Sequence, residues 1–353
     1  MPDWTASMTR TYEYYTVDPG TWKDVRKLNT VISCSIDRDS SADTLGSASF
    51  DIKELIGECY VRVYLITLQN GVKERHPLGT FLVQTPTASH DGKVQNVTVD
   101  AYTPLLELKE NPPPLGYSLL KGDNIMDKAY LIVRDNVRAP VIPVNDNSTL
   151  QYDFVSDPNE KWINYTKDLI ANAKYNLDLD ELGRVLFAPK QDIAALQPVW
   201  EYTDGNSSIL YPEISISRDL YGVPNVVEVV YSNGPDTYYA KVVNDDPNSP
   251  ISTVNRGREI IYRETSPNFS GGDPTQYMID EYANRLLRDL SALEVTIGYS
   301  HGYCPARVGD CVRLNCEKAG LLNVKAKVIS QSIKCDASCS VSEKAVITTN
   351  LWR

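Results

Sequence analysis

The chain has 353 residues, a hydrophobic share of 42% and a net charge of −11. An acidic chain without a run of clustered Lys and Arg is not a general nucleic-acid binder, because such clusters carry phosphate contact. No apolar stretch reaches the roughly 18–20 residues that a membrane-crossing helix needs, so no transmembrane segment is expected.

The N-terminal stretch Met1–Thr11 lacks the charged start and apolar core of a secretory signal. Folding in a cytoplasm is therefore expected, where structural disulfides are rare. Tyrosine is abundant, 22 residues against 5 Phe and 3 His. A ring with a polar tip suits strands with one wet face and suits interfaces.

In chain order, the first block spans residues 1–110 and is predicted to be a small β domain. Val31–Ile36, Ala48–Ile52, Tyr60–Ile66, Leu78–Gln84 and Asn96–Tyr102 read as strands by alternation and β-branched content. Turns are expected at Gln69-Asn70-Gly71 and at His90-Asp91-Gly92-Lys93. Short strands at close spacing suggest a barrel or sandwich, closed by a short helix over Thr103–Leu108. The prolines Pro112, Pro113 and Pro114 mark a boundary.

The second block, 111–212, reads as a mixed α/β domain. Helices are predicted over Asn124–Val137 and Lys161–Lys174, followed by a hairpin from Tyr175–Leu179 to Arg184–Ala188. Its turn is Asp180–Gly183, and the stretch Asp178–Gly183 has partial calcium-loop character but lacks the ligand at the twelfth position, so a hairpin turn accounts for it better.

The third block, 213–353, is again strand-rich. Strands are predicted at Asn225–Tyr231, Tyr238–Asn244, Glu259–Glu264, Leu293–Tyr299, Cys311–Leu314, Lys325–Ser332 and Ala345–Leu351, with a turn at Asn233-Gly234. Among them sits one helix, 275–293, with Met278, Ile279, Tyr282, Ala283, Leu286, Leu287, Leu290 and Leu293 at three- and four-residue spacing. Asp273 is the expected N-cap, with Pro274 at the first helical position and Gln276 at the third. A second barrel with an inserted helix is expected. The whole is an α+β fold of two small β-barrel domains around a mixed middle domain.

Candidate chemistry is sparse. His76, His90 and His301 lie far apart without a nucleophile or carboxylate placed beside them, so no catalytic role is expected of them. Cys304, Cys311, Cys316, Cys335 and Cys339 crowd the C-terminal region. Four thiolates there could hold zinc or an iron–sulfur cluster, but the C-x-x-C knuckle is absent and free Cys in strands is common. No phosphate loop, nucleophile elbow or metalloprotease motif occurs. No catalytic, cofactor or metal residue is therefore singled out.

The order of these blocks resembles the baseplate or tail-tip hub proteins of tailed bacteriophages, the family that includes late control protein D. The resemblance is carried by Gly79–Val83, by Asn96–Tyr102 running into Leu105 and Leu108, and by Leu177–Asp178 through Gly183 to Ala188–Pro189. It is carried further by the helix Tyr277–Leu290 followed by Pro305–Leu314, and by Val328–Ile333 with Ala345–Leu351.

It implies a non-enzymatic virion protein, assembled in the host cytoplasm. The family's hub is a homotrimer whose two tube-like domains per subunit make a pseudo-sixfold ring. That ring continues the tail tube, contacts a tail tube or distal tail protein and the tape measure protein, and connects to a central spike or fibre. It implies a channel for DNA passage without specific nucleic-acid binding, and cell-wall cleavage residing elsewhere. Two alternatives stand beside it: a tail-tip receptor or carbohydrate-binding module, and a cell-wall hydrolase component.

Overall fold

The computed structural model of the chain describes residues 2–350 apart from 55, 91–94, 206–207, 233–236, 266 and 268–273. Seven strands come first: β1 (Thr9–Val17), β2 (Asp24–Lys27), β3 (Val31–Asp39), β4 (Gly46–Ile52), β5 (Tyr60–Gln69), β6 (Val72–His90) and β7 (Gln95–Tyr102). They pair in the order β3-β4-β7-β6-β5-β1-β2, every pair antiparallel.

Strand β5 shows why these residues become strands. Val61, Val63 and Leu65 point into one core with Phe50, Phe81 and Val99. Tyr60, on the opposite face, packs with Val17 and Leu82. With both faces covered, the strand is apolar nearly throughout. Its one cation, Arg62, is buried and satisfied by Thr80 Oγ1 at 2.9 Å and Asp24 Oδ1 at 3.0 Å.

The middle of the chain contains α1 (Leu106–Glu110), β8 (Ser118–Leu119), α2 (Ile125–Asn136), β9 (Phe154–Val155), α3 (Trp162–Ala171), β10 (Tyr175–Leu179) and β11 (Val185–Pro189). Asn124 caps α2 by accepting from the Asp127 amide at 2.9 Å. Helices α2 and α3 and the β10–β11 hairpin share one core, in which Met126, Val133, Trp162, Tyr165, Leu177 and Phe187 are buried.

The remaining elements are β12 (Trp200–Thr203), β13 (Leu210–Arg218), β14 (Val226–Ser232), β15 (Thr237–Val243), α4 (Thr253–Arg256), β16 (Ile261–Thr265), α5 (Gln276–Leu290), β17 (Ala292–Gly302), β18 (Cys311–Cys316), β19 (Leu321–Lys334) and β20 (Ser340–Asn350). The chain divides into two compact units, Met1–Ile214 with Tyr299–Ala345, and Ser215–Gly298 with Val346–Arg353.

In the first unit, β19 joins the N-terminal strands by pairing antiparallel with β3. Its other neighbours are β20 and β18, and β18 pairs in parallel with β12. The α+β class is as expected, but the described strands form no closed barrel. The edge of β3 that a self-contained N-terminal barrel would close on is occupied by β19, and the first core also takes in Tyr303, Ile333, Cys339 and Val341.

In the second unit, β15-β14-β16 form a three-stranded sheet with β14 antiparallel to β15 and parallel to β16. Helix α5 covers one face. Ile279, Ala283 and Leu287 are buried against Val227, Val229 and Ala240, one helical stripe on one pleated face. The opposite face is mixed: Glu228 pairs there with Arg263 at 2.7 Å, beside the buried Val226. The second barrel expected around the helix is not closed: the described strands under α5 form an open three-stranded sheet.

Helix α5 is shorter than the predicted 275–293, because the chain turns at Ser291 and enters β17. Its cap is Thr275, whose hydroxyl accepts from the Met278 amide at 3.4 Å. Asp273 and the turns at Asp91–Lys93 and Asn233-Gly234 lie outside the described residues. No helix among the described residues is long and apolar enough to cross a membrane.

Leu287→Ala should cost this unit about 2–5 kcal/mol, as for other large-to-small core changes. Tyr277→Ala, at an exposed position, should stay within about 0.5 kcal/mol. Amide exchange across α5 separates the two; equal acceleration in both variants would contradict the assigned stripe.

Candidate functional site

The densest polar grouping in the first unit is buried where β12, β17, β19 and β20 meet. Tyr299 and His301 are two apart on β17 and so point to one face. Glu343 comes from β20, Gln331 from β19, Tyr202 from β12, and Cys304 from the segment after β17. His301 has 0% and Glu343 2% of its surface exposed.

Glu343 is the shared acceptor. Its Oε1 accepts from the Tyr299 hydroxyl, and its Oε2 from the Gln331 amide at 2.6 Å and from His301 Nε2 at 3.4 Å. His301 Nδ1 lies 2.7 Å from the Gly302 carbonyl and donates to it. Tyr202 Oη sits 3.0 Å from His301 Nε2 and 3.2 Å from Cys304 Sγ. Gln331 also donates to the Ala306 carbonyl and accepts from Arg38 Nη1 at 3.2 Å. Arg38 lies on β3, so the network ends on the N-terminal strands.

Burial alone would strip the proton from His301. Hydrogen bonds to Cys304 and Glu343, and the Glu343 carboxylate itself, outweigh it and push His301 up to about 10. The imidazolium then has an acceptor at each ring nitrogen. Burial holds the Tyr202 and Tyr299 hydroxyls well above the usual phenol value, so both remain neutral donors. Chemically, this is a satisfied ion pair that fixes four strands in one register.

A second polar junction lies at the β10–β11 turn. Trp22 Nε1 and Arg62 Nη2 both donate to the Leu182 carbonyl, at 2.7 and 3.1 Å. Arg307 pairs with Glu181 at 2.7 Å and donates to the Leu179 carbonyl. Gly183 has φ +75°, and a Cβ there would lie 2.7 Å from Thr80 Cβ, so glycine is required by both backbone and space. Asp180 accepts from the Arg184 amide and guanidinium. The segments Leu177–Pro189 and Pro305–Leu314, far apart in sequence, are thus in direct contact.

The three histidines occupy different settings. His76 is bonded to Thr67 at 3.2 Å and stands edge-on to Trp4, and the side chain of His90 lies outside the described residues. His301, set aside for want of sequence neighbours, is the centre of the buried network.

The C-terminal cysteines do not converge. Cys304 joins His301, Cys339 enters the first core and Cys335 packs at its margin, while Cys311 and Cys316 are buried on β18. Among the described residues, no three His, Cys, Asp or Glu side chains are grouped to hold a metal.

The fold has clear counterparts. In sequence, no protein-family model matches the chain and no curated protein matches it. In structure, it is similar to a tail protein of Neisseria meningitidis MC58, with a TM-score of 0.64 and 13% identity over 96% of this chain and 97% of that one. It is similar to the 43 kDa tail protein of prophage MuSo2 from Shewanella oneidensis, with a TM-score of 0.64 and 11% identity over 95% and 98%. A chain of the Francisella PdpA–VgrG complex matches at a TM-score of 0.57 and 8% identity, over 98% of this chain and 53% of that one. The chain has the fold of these tail proteins over nearly its whole length.

The folded state binds the His301 proton more tightly than the unfolded chain does. The pair's contribution is therefore complete below pH 6.5 and is lost as pH rises towards about 10. Urea midpoints across that window should fall for the native chain and fall less for Glu343→Gln, whose amide cannot hold the imidazolium. Glu343→Leu should cost about 3–5 kcal/mol at neutral pH, because it leaves a buried charge unpaired. Parallel pH profiles for the native chain and Glu343→Gln would contradict the assignment.

Proposed function

We propose that this protein is the structural hub of a phage tail tip or baseplate. The observation that carries the reading is the match of fold over nearly the full length of two phage tail proteins. The buried network supports it: the best-organised polar group in the first unit spends its hydrogen bonds on strand register and has no exposed surface for a substrate. On this reading the chain is not an enzyme and holds no cofactor.

In the proposed assembly three copies form a pseudo-sixfold ring that continues the tail tube and leaves a channel for DNA. The ring binds a tail tube or distal tail protein on one side and a spike or fibre protein on the other, with the tape measure protein inside. Closed rotational symmetry lets one chain meet a sixfold tube. Strand β2 ends the order of the N-terminal strands, and pairing of such an edge with a neighbouring copy would also remove an aggregation hazard. The net charge of −11 suits a lumen that does not retain a polyanion.

Mass photometry of the purified chain, alone and with its tail partners, tests this. A trimer formed alone or on the partner is expected, visible as a ring in negative stain. A monomer that stays monomeric with every tail partner and releases fragments from peptidoglycan would overturn the reading.

A further inference from the structure

Two cysteines from opposite ends of the chain face each other across the β3–β19 ladder. The antiparallel register runs from Ser330 opposite Asp39 to Lys334 opposite Ser35, which sets Cys335 opposite Cys34 one step further. The Cys335 amide donates to the Cys34 carbonyl at 3.0 Å. Both side chains belong to the same core, Cys34 buried within it and Cys335 partly buried at its margin.

The amide bond between them marks a hydrogen-bonded pair, whose Cα atoms are about 5.5 Å apart, inside the roughly 4.4–6.8 Å that a disulfide spans. Their Cβ atoms, at about 5.5 Å, must approach by about 1 Å or more to reach bonding geometry. We propose that Cys34 and Cys335 are a dithiol modification site that small-molecule disulfides oxidise to an intrachain bond between β3 and β19.

Cys335 is the attacking thiol, since it is the more exposed of the two. Its thiolate attacks one sulfur of oxidised glutathione, breaking that S–S bond. The departing glutathione thiolate takes up a proton, and Cys335 is left as a mixed disulfide. Cys34, deprotonated in turn, attacks the Cys335 sulfur and displaces the second glutathione thiol. Two protein thiols are oxidised and one small disulfide is reduced to two thiols. The Cys34 neighbour and burial hold the Cys335 thiol well above its usual value, so the reaction is slow and quickens as pH rises.

The bond would tie the first strands to the last at the junction that makes them one unit. In a tail particle, assembly in a reducing cytoplasm and release into an oxidising medium would close it after the ring has formed. That timing rests on the hub reading; the thiol chemistry does not.

The test uses the full chain incubated with oxidised glutathione and then alkylated. The expected product has lost two hydrogen atoms, carries no glutathione, and yields a tryptic pair joining Leu28–Arg38 to Cys335–Lys344, with fragmentation placing the bond at Cys335 rather than Cys339. Dithiothreitol should reverse it, Cys34→Ser and Cys335→Ser should each abolish it, and Cys59→Ser should not. A stable glutathione adduct at Cys335, a bond to Cys339, or unchanged thiols in native chain whose Cys59 is modified would each overturn the proposal. Because the native chain alone can give any of these results, poorly folding variants do not blunt the test, and the result is independent of whether the chain trimerises.

Discussion

The Glu343 carboxylate is the constraint on which the first unit depends. A carboxylate without solvent costs several kcal/mol unless its acceptor sites are filled. They are filled by Tyr299, Gln331 and His301, which come from two different strands. Two of those donors are themselves anchored: His301 at the Gly302 carbonyl, and Gln331 at Ala306 and Arg38. Because a one-residue slip turns a strand's side chains to the other face, these bonds form only in one register. The network thereby specifies how the C-terminal strands meet and, through Arg38, how they join β3.

That junction gives the fold its character. The N-terminal strands do not close on themselves, and their outer edge is completed by β19. The β10–β11 turn is fastened to the same body by Trp22, Arg62 and Arg307. Residues from the beginning, middle and end of the sequence therefore share one compact unit, while α5 and its sheet form a core of their own.

Much of the local structure was legible in the sequence, because periodicity is local information. The apolar stripe of α5, the existence of α2 and the β10–β11 hairpin were all recognisable from residues close in sequence. Strand β1 carries no clear alternation in its sequence: Tyr14 is buried, but Tyr12 and Tyr15, on opposite faces, are both half-buried, so the polar–apolar contrast is weak. Strand β12 escaped notice because four residues carry too little pattern, and only its parallel pairing with β18 defines it. The buried network had no sequence signal. His301 meets its partners across 42 and 99 residues, and its sequence neighbours, Ser300 and Gly302, say nothing of Glu343. Barrel closure was likewise a question of which edge β19 would choose, which no single strand records.

The most direct measurement of the central claim is a reconstruction of the intact particle with this chain located in its density. Three copies in a closed ring at the distal end of the tube, coaxial with an open channel, are the expected result. Copies confined to peripheral fibres, or placed off the tube axis without forming a ring, would contradict the hub assignment.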